Sequence, residues 1–429
     1  MEKLIIKGQK ELSGEFVPSG NKNEALSLLS ACLLCKQRVK LTNVPNIGDI
    51  KTMCKIIMGL GAKGGVVESD NSIWIDASSL HSFTPNKNLS HKVRASFLLL
   101  APLLVRFGQA VVTTPGGDDI GRRRLDTHFL ALEKFGVTIK AKFNNYHLEC
   151  KKLIGNYVFL DEASVMATEN SIMMAVMAKG DTIIYNAACE PHVQSLCHML
   201  NLMGAKIGGI ASNRLSIAGV SSLKGVEYRI CDDHIEIGSI IGMAAVTKSS
   251  VTIKGGALSD LGLCDLYFSK LGVYYKKIGD DIFIPKEQEL VVKRDDKLRI
   301  SKIDDAPWPG FPTDLLSIML TVATQCRGSV LIFEKLFESR LFWVDKIIAM
   351  GAEVILCDPH RALVTGPSKL YGGKIISPDI RAGMALLIAA LVAEGESEIY
   401  NIEQIDRGYE NIDKKLRLLG ADIKRVSFA

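Results

Sequence analysis

The stretch Leu200-Asn-Leu-Met-Gly204-Ala-Lys-Ile-Gly-Gly-Ile-Ala-Ser-Asn-Arg-Leu-Ser-Ile-Ala-Gly219 decides how this chain is read. An apolar segment of helical period runs into Met203-Gly204, where a glycine in the left-handed conformation would end a helix. A short strand over 205–210, a polar turn at Ser212-Asn213 and a second strand over 215–219 follow. Near-copies of the junction recur as Leu60-Gly-Ala-Lys, Phe135-Gly-Val-Thr, Leu271-Gly-Val-Tyr, Met350-Gly-Ala-Glu and Leu419-Gly-Ala-Asp. The six glycines, at 61, 136, 204, 272, 351 and 420, are spaced by 75, 68, 68, 79 and 69 residues. A period this long denotes one supersecondary unit used six times.

The sixth copy is incomplete, because a single strand over 422–426 follows Gly420. The segment Met1-Glu-Lys-Leu-Ile-Ile-Lys-Gly8 reads like Asn213–Gly219 and His360–Gly366, so the N-terminal strand is expected to complete the last unit. Six units of about seventy residues, divided three and three, give two domains of ordinary size. The expected division is 22–229 for the first domain and 1–21 plus 230–429 for the second. The chain then crosses between domains near 21 and near 230, with the active site expected in the cleft between them.

Composition narrows the function classes. A 429-residue chain with 47% hydrophobic residues builds large cores. Its net charge of +5 is spread without a basic tail, so nucleic acid is not an expected partner, whereas anionic small molecules are. The longest apolar run, 97–105, is fenced by Arg94 and Arg106 and falls far short of the ~20 residues that span a bilayer. No signal-peptide core is visible, and ten scattered cysteines suit reducing cytoplasm. Cys32 and Cys35 lie in what reads as a buried helix, which argues against a redox pair. Cys189, His192, Cys197 and His198 fit no standard zinc spacing, so no metal is expected.

A charged or amide residue recurs at the head of apolar helices. Asn21-Lys22-Asn23 precedes one, and Lys92-Val-Arg94, Asp233-His-Ile-Glu236, Thr313-Asp314 and Asp379-Ile-Arg381 precede others. Carboxylates are ordinary first-turn residues, but cations oppose the helix dipole. Lys22, Arg94 and Arg381 therefore point to anionic ligands or buried acidic partners. A third feature is the glycine-rich loop Pro115-Gly-Gly-Asp118-Asp119-Ile-Gly121-Arg122-Arg123-Arg124-Leu-Asp126-Thr-His128. Its carboxylates and guanidiniums can supply a proton and clamp an anion.

These strings, with Val93-Arg94-Ala-Ser, Gly310-Phe-Pro-Thr-Asp314, Phe337-Glu338-Ser-Arg340 and Asp406-Arg407-Gly-Tyr, make the chain resemble the enolpyruvyl transferase family over its whole length. The likeness is greater to the branch acting on a sugar nucleotide than to the shikimate branch. The family fold is two inside-out α/β barrels of three βαβαββ units each, in keeping with the six repeats. The resemblance implies transfer of the enolpyruvyl group of phosphoenolpyruvate to the 3-hydroxyl of UDP-N-acetylglucosamine. Phosphate is released, no cofactor is needed, and the product serves peptidoglycan synthesis; a different nucleotide or sugar acceptor is the alternative. By match, Asp118 is the acid for C3 and Asp314 the base near the hydroxyl. Lys22, Arg123 and Arg407 hold the phosphate and carboxylate. Asn23, Arg94, Arg124, Leu125, Asp126, Thr127, Ser164 and Val165 belong to the nucleotide-sugar side. Asp233, Glu236, Leu336, Phe337, Glu338, Arg340, Asp379 and Arg381 line the cleft. The resemblance is silent on oligomeric state.

The chain departs from the family in two places. Most members carry cysteine where this chain has Asp118. Aspartate ionises well below neutrality, so the loop is expected to protonate this carboxyl only with substrate bound. A carboxylate is also a poor nucleophile toward an epoxide, so insensitivity to fosfomycin, which alkylates the cysteine, is expected. On the acceptor side, Arg124 and Thr127 replace a Pro and a Leu, Glu162 stands where a lysine is common, and Met166 replaces a glycine. Acceptor identity is thus less constrained than reaction type.

Overall fold

A computed structural model describes residues 2–118, 120–256, 261–295 and 299–428 of the chain. All six repeat glycines adopt left-handed backbone, with φ of 106°, 88°, 107°, 78°, 107° and 102° in chain order. Each follows the C-cap residue of a helix, as the spacing predicts. A side chain at such a position would cost roughly 1–2 kcal/mol, which explains why glycine marks the period.

One repeat shows the unit in full. The strand Ser301–Asp304 leads through the helix Leu316–Ala323 to the parallel strand Gly328–Phe333, with Ile303 opposite Ile332. The helix Val344–Ala349 follows, and then the hairpin Glu353–Asp358 and Arg361–Gly366, which pairs antiparallel with Gly328–Phe333. Among the described residues there are six such sheets, five of four strands and one of three.

The N-terminal strand Glu2–Lys7 lies between Glu396–Tyr400 and Asp422–Ser427 and is antiparallel to both, with Ile6 opposite Ser397 and Ile423. It therefore completes the sixth sheet, as the sequence comparison of its ends suggests. Two further sheets take their first strand from far away in sequence. Ser13–Phe16 pairs in parallel with Ser250–Ile253, and Glu227–Arg229 with Val39–Thr42.

The chain forms two compact units. The first comprises Met1–Ser19, Asp118–Arg123 and Asp232–Ala429; the second comprises Gly20–Gly117 and Arg124–Cys231. The described residues of Asp118–Arg123, in the glycine-rich loop, thus pack with the first unit, although the sequence around them belongs to the second. The core of the first unit holds the helices His234–Val246, Leu316–Ala323 and Ile380–Val392, packed on one another and buried almost all round. The second unit buries Lys22–Ala31, Leu100–Phe107 and Val165–Met177 in the same way. A helix apolar on every side belongs inside, and the sheets, whose strands alternate buried and exposed, cover it. The predicted inside-out α/β arrangement is what forms. Among the described residues no helix is long and apolar enough to cross a membrane.

Candidate active site

In the first unit the heads of two core helices and one strand end converge on a single carboxylate. Asp314 sits in the 3₁₀ turn Thr313–Leu315 that leads into the helix Leu316–Ala323. Its Oδ1 accepts from Arg340 Nη2 at 2.5 Å, and its Oδ2 from Arg381 Nε at 2.9 Å and Nη2 at 2.8 Å. Arg381 is the second residue of the helix Ile380–Val392, and Arg340 lies in the turn after the strand Gly328–Phe333. Both arginines are 5% exposed. Arg340 Nε and Arg381 Nη1 are buried and make no hydrogen bond among the described residues, so each guanidinium keeps donor capacity. Burial alone would raise the Asp314 carboxyl, but Arg381 and Arg340 outweigh it and hold it well below the usual carboxylate range. Asp314 is therefore an ionised acceptor at every physiological pH, and a weak base while both arginines hold it.

The glycine-rich loop adds Arg123 and a second carboxylate, Asp118, which Arg407 meets from the end of the short helix Glu403–Asp406. Arg407 Nη1 donates to Asp118 Oδ1 at 2.6 Å and to Gln404 Oε1 at 2.7 Å. Arg123 Nη2 donates to the Asp118 carbonyl at 2.6 Å. Burial depresses the Arg123 guanidinium, and the charges of Arg340 and Arg407 push the same way, so three guanidiniums act on one another here. The loop is fastened by Glu338, whose Oε1 accepts from Arg122 N at 2.9 Å, and by Ser339 N donating to the Ile120 carbonyl at 3.2 Å. Gly121 makes this approach feasible: its φ is +113°, and a Cβ there would sit 2.8 Å from Glu338 Cδ. The conjunction of four guanidiniums with Asp118 and Asp314 suits a small ligand carrying two anionic groups.

Other first-unit residues expected at the site have structural employment. Asp233 caps the helix His234–Val246 by accepting from Ile235 N at 2.8 Å. Asp379 caps Ile380–Val392 by accepting from Arg381 N at 2.8 Å and Ala382 N at 2.9 Å, and burial lifts its carboxyl above the usual range. Both are the ordinary first-turn use of a carboxylate. Glu236 is buried and takes Lys415 Nζ at 2.9 Å on one oxygen and Ser19 N at 2.5 Å on the other. Burial raises its carboxyl and Lys415 opposes the shift. Leu336 is exposed, and Phe337 lies under the Arg340 guanidinium at 6.0 Å.

In the second unit Lys22 is the first residue of the helix Lys22–Ala31, behind the cap Asn21, whose side chain accepts from Glu24 N at 3.0 Å. Its Nζ meets Asp49 Oδ2 at 2.8 Å. Lys22 and Arg381, two of the three cations at helix heads, thus face acidic partners, the buried Asp49 and the half-buried Asp314. Arg94 begins the 3₁₀ turn Arg94–Leu99; it adds to the burial that pushes His128 down to about 3. His128 is therefore neutral and packs against Phe97 and Asn170. Asn23 is half-buried, as are Ser164 and Val165 at the head of the helix Val165–Met177. Asp161 ties Arg124 and Thr127 together, taking Arg124 Nη2 at 2.9 Å and Thr127 Oγ1 at 2.7 Å; Arg124 Nε also meets Asp126 at 3.1 Å. Leu125 precedes the helix Asp126–Lys134.

Sequence reasoning missed Asp49, Asp161, Gln404 and Lys415. Only Gln404 carried a local signal, being three residues before Arg407 in a short helical turn. Asp119 lies outside the described residues. No group of His, Cys, Asp and Glu among the described residues could hold a metal ion. Cys32 and Cys35 are buried free thiols, and burial pushes both thiols up, which keeps them protonated.

The family model for EPSP synthase (3-phosphoshikimate 1-carboxyvinyltransferase) matches residues 6–416. Proteins described as UDP-N-acetylglucosamine 1-carboxyvinyltransferase are 49% identical in Borrelia garinii, Bacteroides thetaiotaomicron and Treponema denticola. Each alignment covers 99% of this chain and 99%, 100% and 99% of the relative, respectively. Among solved structures, the enolpyruvyl transferase NikO from Streptomyces tendae superposes with a TM-score of 0.87 at 23% identity, covering 100% of this chain and 99% of that one. An EPSP synthase from Acinetobacter baumannii gives 0.75 at 16% identity, covering 99% and 100%.

Proposed function

As the chain belongs to the enolpyruvyl transferase family, we propose that it moves the enolpyruvyl group of phosphoenolpyruvate onto the 3-hydroxyl of UDP-N-acetylglucosamine, releasing phosphate. This is the first committed step of peptidoglycan precursor synthesis, and it belongs in the cytoplasm. The observation that carries the reading is the cluster of Arg123, Arg340, Arg381 and Arg407 around Asp118 and Asp314. Phosphoenolpyruvate brings a phosphate and a carboxylate, and fixed guanidiniums at low solvent exposure stabilise both, and the charge that develops on them.

The hydroxyl oxygen bonds to C2 while a proton adds to C3, turning the methylene into a methyl group and giving a tetrahedral ketal. A proton then leaves C3, the double bond reforms, and phosphate departs with the C2–O bond electrons. Asp118 supplies the proton to C3, and Asp314 accepts the proton of the attacking hydroxyl. The ligand-free pairings suggest how each becomes competent. A substrate oxyanion that takes Arg407 draws it away from Asp118 Oδ1. Substrate groups that draw Arg340 or Arg381 away from Asp314 would make it a stronger base. Lys22, Asn23 and Arg94 of the second unit, with the Arg124–Asp161–Thr127 group, are assigned to the phosphate and the sugar nucleotide.

The test is phosphate release under single-turnover conditions, with the two substrates added separately and together to wild type and to Asp118→Asn. The reading requires release only with both substrates and its loss in the variant; equal release from the variant overturns the role of Asp118.

A further inference from the structure

Directly behind Asp314 and Arg340 lies a pair of acids that the reaction above does not use. Asp305 and Glu334 are each 0% exposed. Glu334 Oε1 accepts from Leu336 N at 3.1 Å and Phe337 N at 3.0 Å, fixing the turn that delivers Glu338 and Arg340. Its Oε2 accepts from Thr313 Oγ1 at 2.9 Å, the residue next to Asp314, and lies 4.0 Å from Arg340 Nε. Glu334 thus touches both segments that carry the Asp314–Arg340 pair. Asp305 Oδ1 accepts from Lys335 N at 2.6 Å, whereas its Oδ2 is buried without a hydrogen-bond partner. What lies within hydrogen-bonding reach of Asp305 is the Glu334 carboxyl. His360 Nδ1 is 2.7 Å from the Glu334 carbonyl.

Two buried carboxyls in contact cannot both ionise without a cation between them. Among the described residues the cation paired with Glu334 is Arg340, and its Nη2 is committed to Asp314.

We propose that Asp305 and Glu334 share one proton, and that this neutralised pair is a positioning device which leaves Arg340 to Asp314 instead of drawing it inward. The inference rests on the transferase reading for its effect on turnover, but not for the proton itself. Burial, with Asp305 beside it, lifts the Glu334 carboxyl to about 8. Its folded value is raised, so the native state is fully favoured below the ordinary glutamate range. It loses stability as pH climbs from there through about 8. Above that pH the newly charged Glu334 competes with Asp314 for Arg340, and turnover falls.

The experiment combines infrared spectroscopy of the substrate-free protein with pH profiles of kcat, on wild type, Glu334→Gln and Asp305→Asn. Subtracting either variant's spectrum from that of wild type at pH 7 should leave the carbonyl band of one protonated carboxyl, because the band of the buried Glu169 carboxyl is common to all three and cancels. Glutamine reproduces the neutral acid, accepting from the turn and donating to Asp305. Glu334→Gln should keep kcat within about twofold at pH 7 and lose the alkaline fall, whereas Glu334→Ala should lose most of kcat. Asp305→Asn replaces a negative neighbour with a donor, so Glu334 ionises lower and the alkaline fall moves below pH 7. Absence of the band from both difference spectra, or superimposable alkaline limbs in wild type and both variants, overturns the proposal. If Glu334→Gln fails to give a cooperative melt, the profile of Asp305→Asn decides alone. Lack of any phosphate release by wild type tells against the transferase reading, and the infrared band still decides the shared proton.

Discussion

The two units use arginine in opposite ways. In the first, Arg340 and Arg381 are 5% exposed and converge on one carboxylate. In the second, the Arg124 side chain is 40% exposed and its partners Asp126 and Asp161 are 55% and 34% exposed. Exposed pairs are screened and contribute little, whereas a buried cation depends on its partner for its solvation. The first arrangement is expensive to keep without a ligand, and retains spare N–H groups on both arginines. The second adapts cheaply. That contrast is in keeping with the proposed roles, reacting groups in the first unit and sugar-nucleotide contacts in the second.

The largest expected effect is at Asp314. Asp314→Ala leaves two buried guanidiniums without their shared carboxylate and should lower unfolding free energy by about 3 kcal/mol. This is the low end for a buried pair, because the Asp314 side chain is 26% exposed. Urea denaturation measures it, and a change below about 1 kcal/mol would erase the contrast between the units. Phosphate release should vanish in the same variant.

Next comes Asp118. Asp118→Asn cannot donate a proton and should lower kcat by roughly 10²–10⁴-fold, the usual contribution of a general acid. Asp118→Cys should recover much of that loss and become open to alkylation by fosfomycin, while wild type resists it. Mass spectrometry after incubation reads the adduct; a covalent adduct on wild-type Asp118 would remove the chemical basis of the expectation.

The smallest effect belongs to the exposed network. Arg124→Ala should change stability by less than about 1 kcal/mol. It should raise KM for the sugar nucleotide a few-fold, leaving kcat and KM for phosphoenolpyruvate near wild type. A fall in kcat comparable to that of Asp118→Asn would mean that Arg124 acts on the reacting atoms and that the contrast is misplaced.

The repeat was legible because it rests on local chemistry. Six glycines after six helix ends need left-handed backbone, and each is visible from its own neighbourhood. The N-terminal strand was legible for a related reason, since Leu4-Ile5-Ile6 repeats the pattern of Leu215-Ser-Ile217. Lys22, Arg94 and Arg381 stood out as cations where the helix dipole disfavours them, and Asp314 as part of a motif. The partners did not stand out. Arg407 and Asp118 are 289 positions apart, Arg381 and Asp314 are 67 apart, and Lys415 and Glu236 are 179 apart. Such pairs are fixed by the packing of helices from different repeats, which no local pattern records. Asp233 and Asp379 occupy motif positions and also cap helices, and their charges act on Arg381 and Arg340. The Asp305–Glu334 pair was invisible because buried acids look like surface acids until the sheet that covers them is in place.

The most direct test of this reading is phosphate release from phosphoenolpyruvate by the purified protein, with and without UDP-N-acetylglucosamine, alongside Asp314→Ala. Release that requires the sugar nucleotide and disappears in the variant is the predicted result. Release without the sugar nucleotide, or none with it despite measurable phosphoenolpyruvate binding, would contradict the assignment.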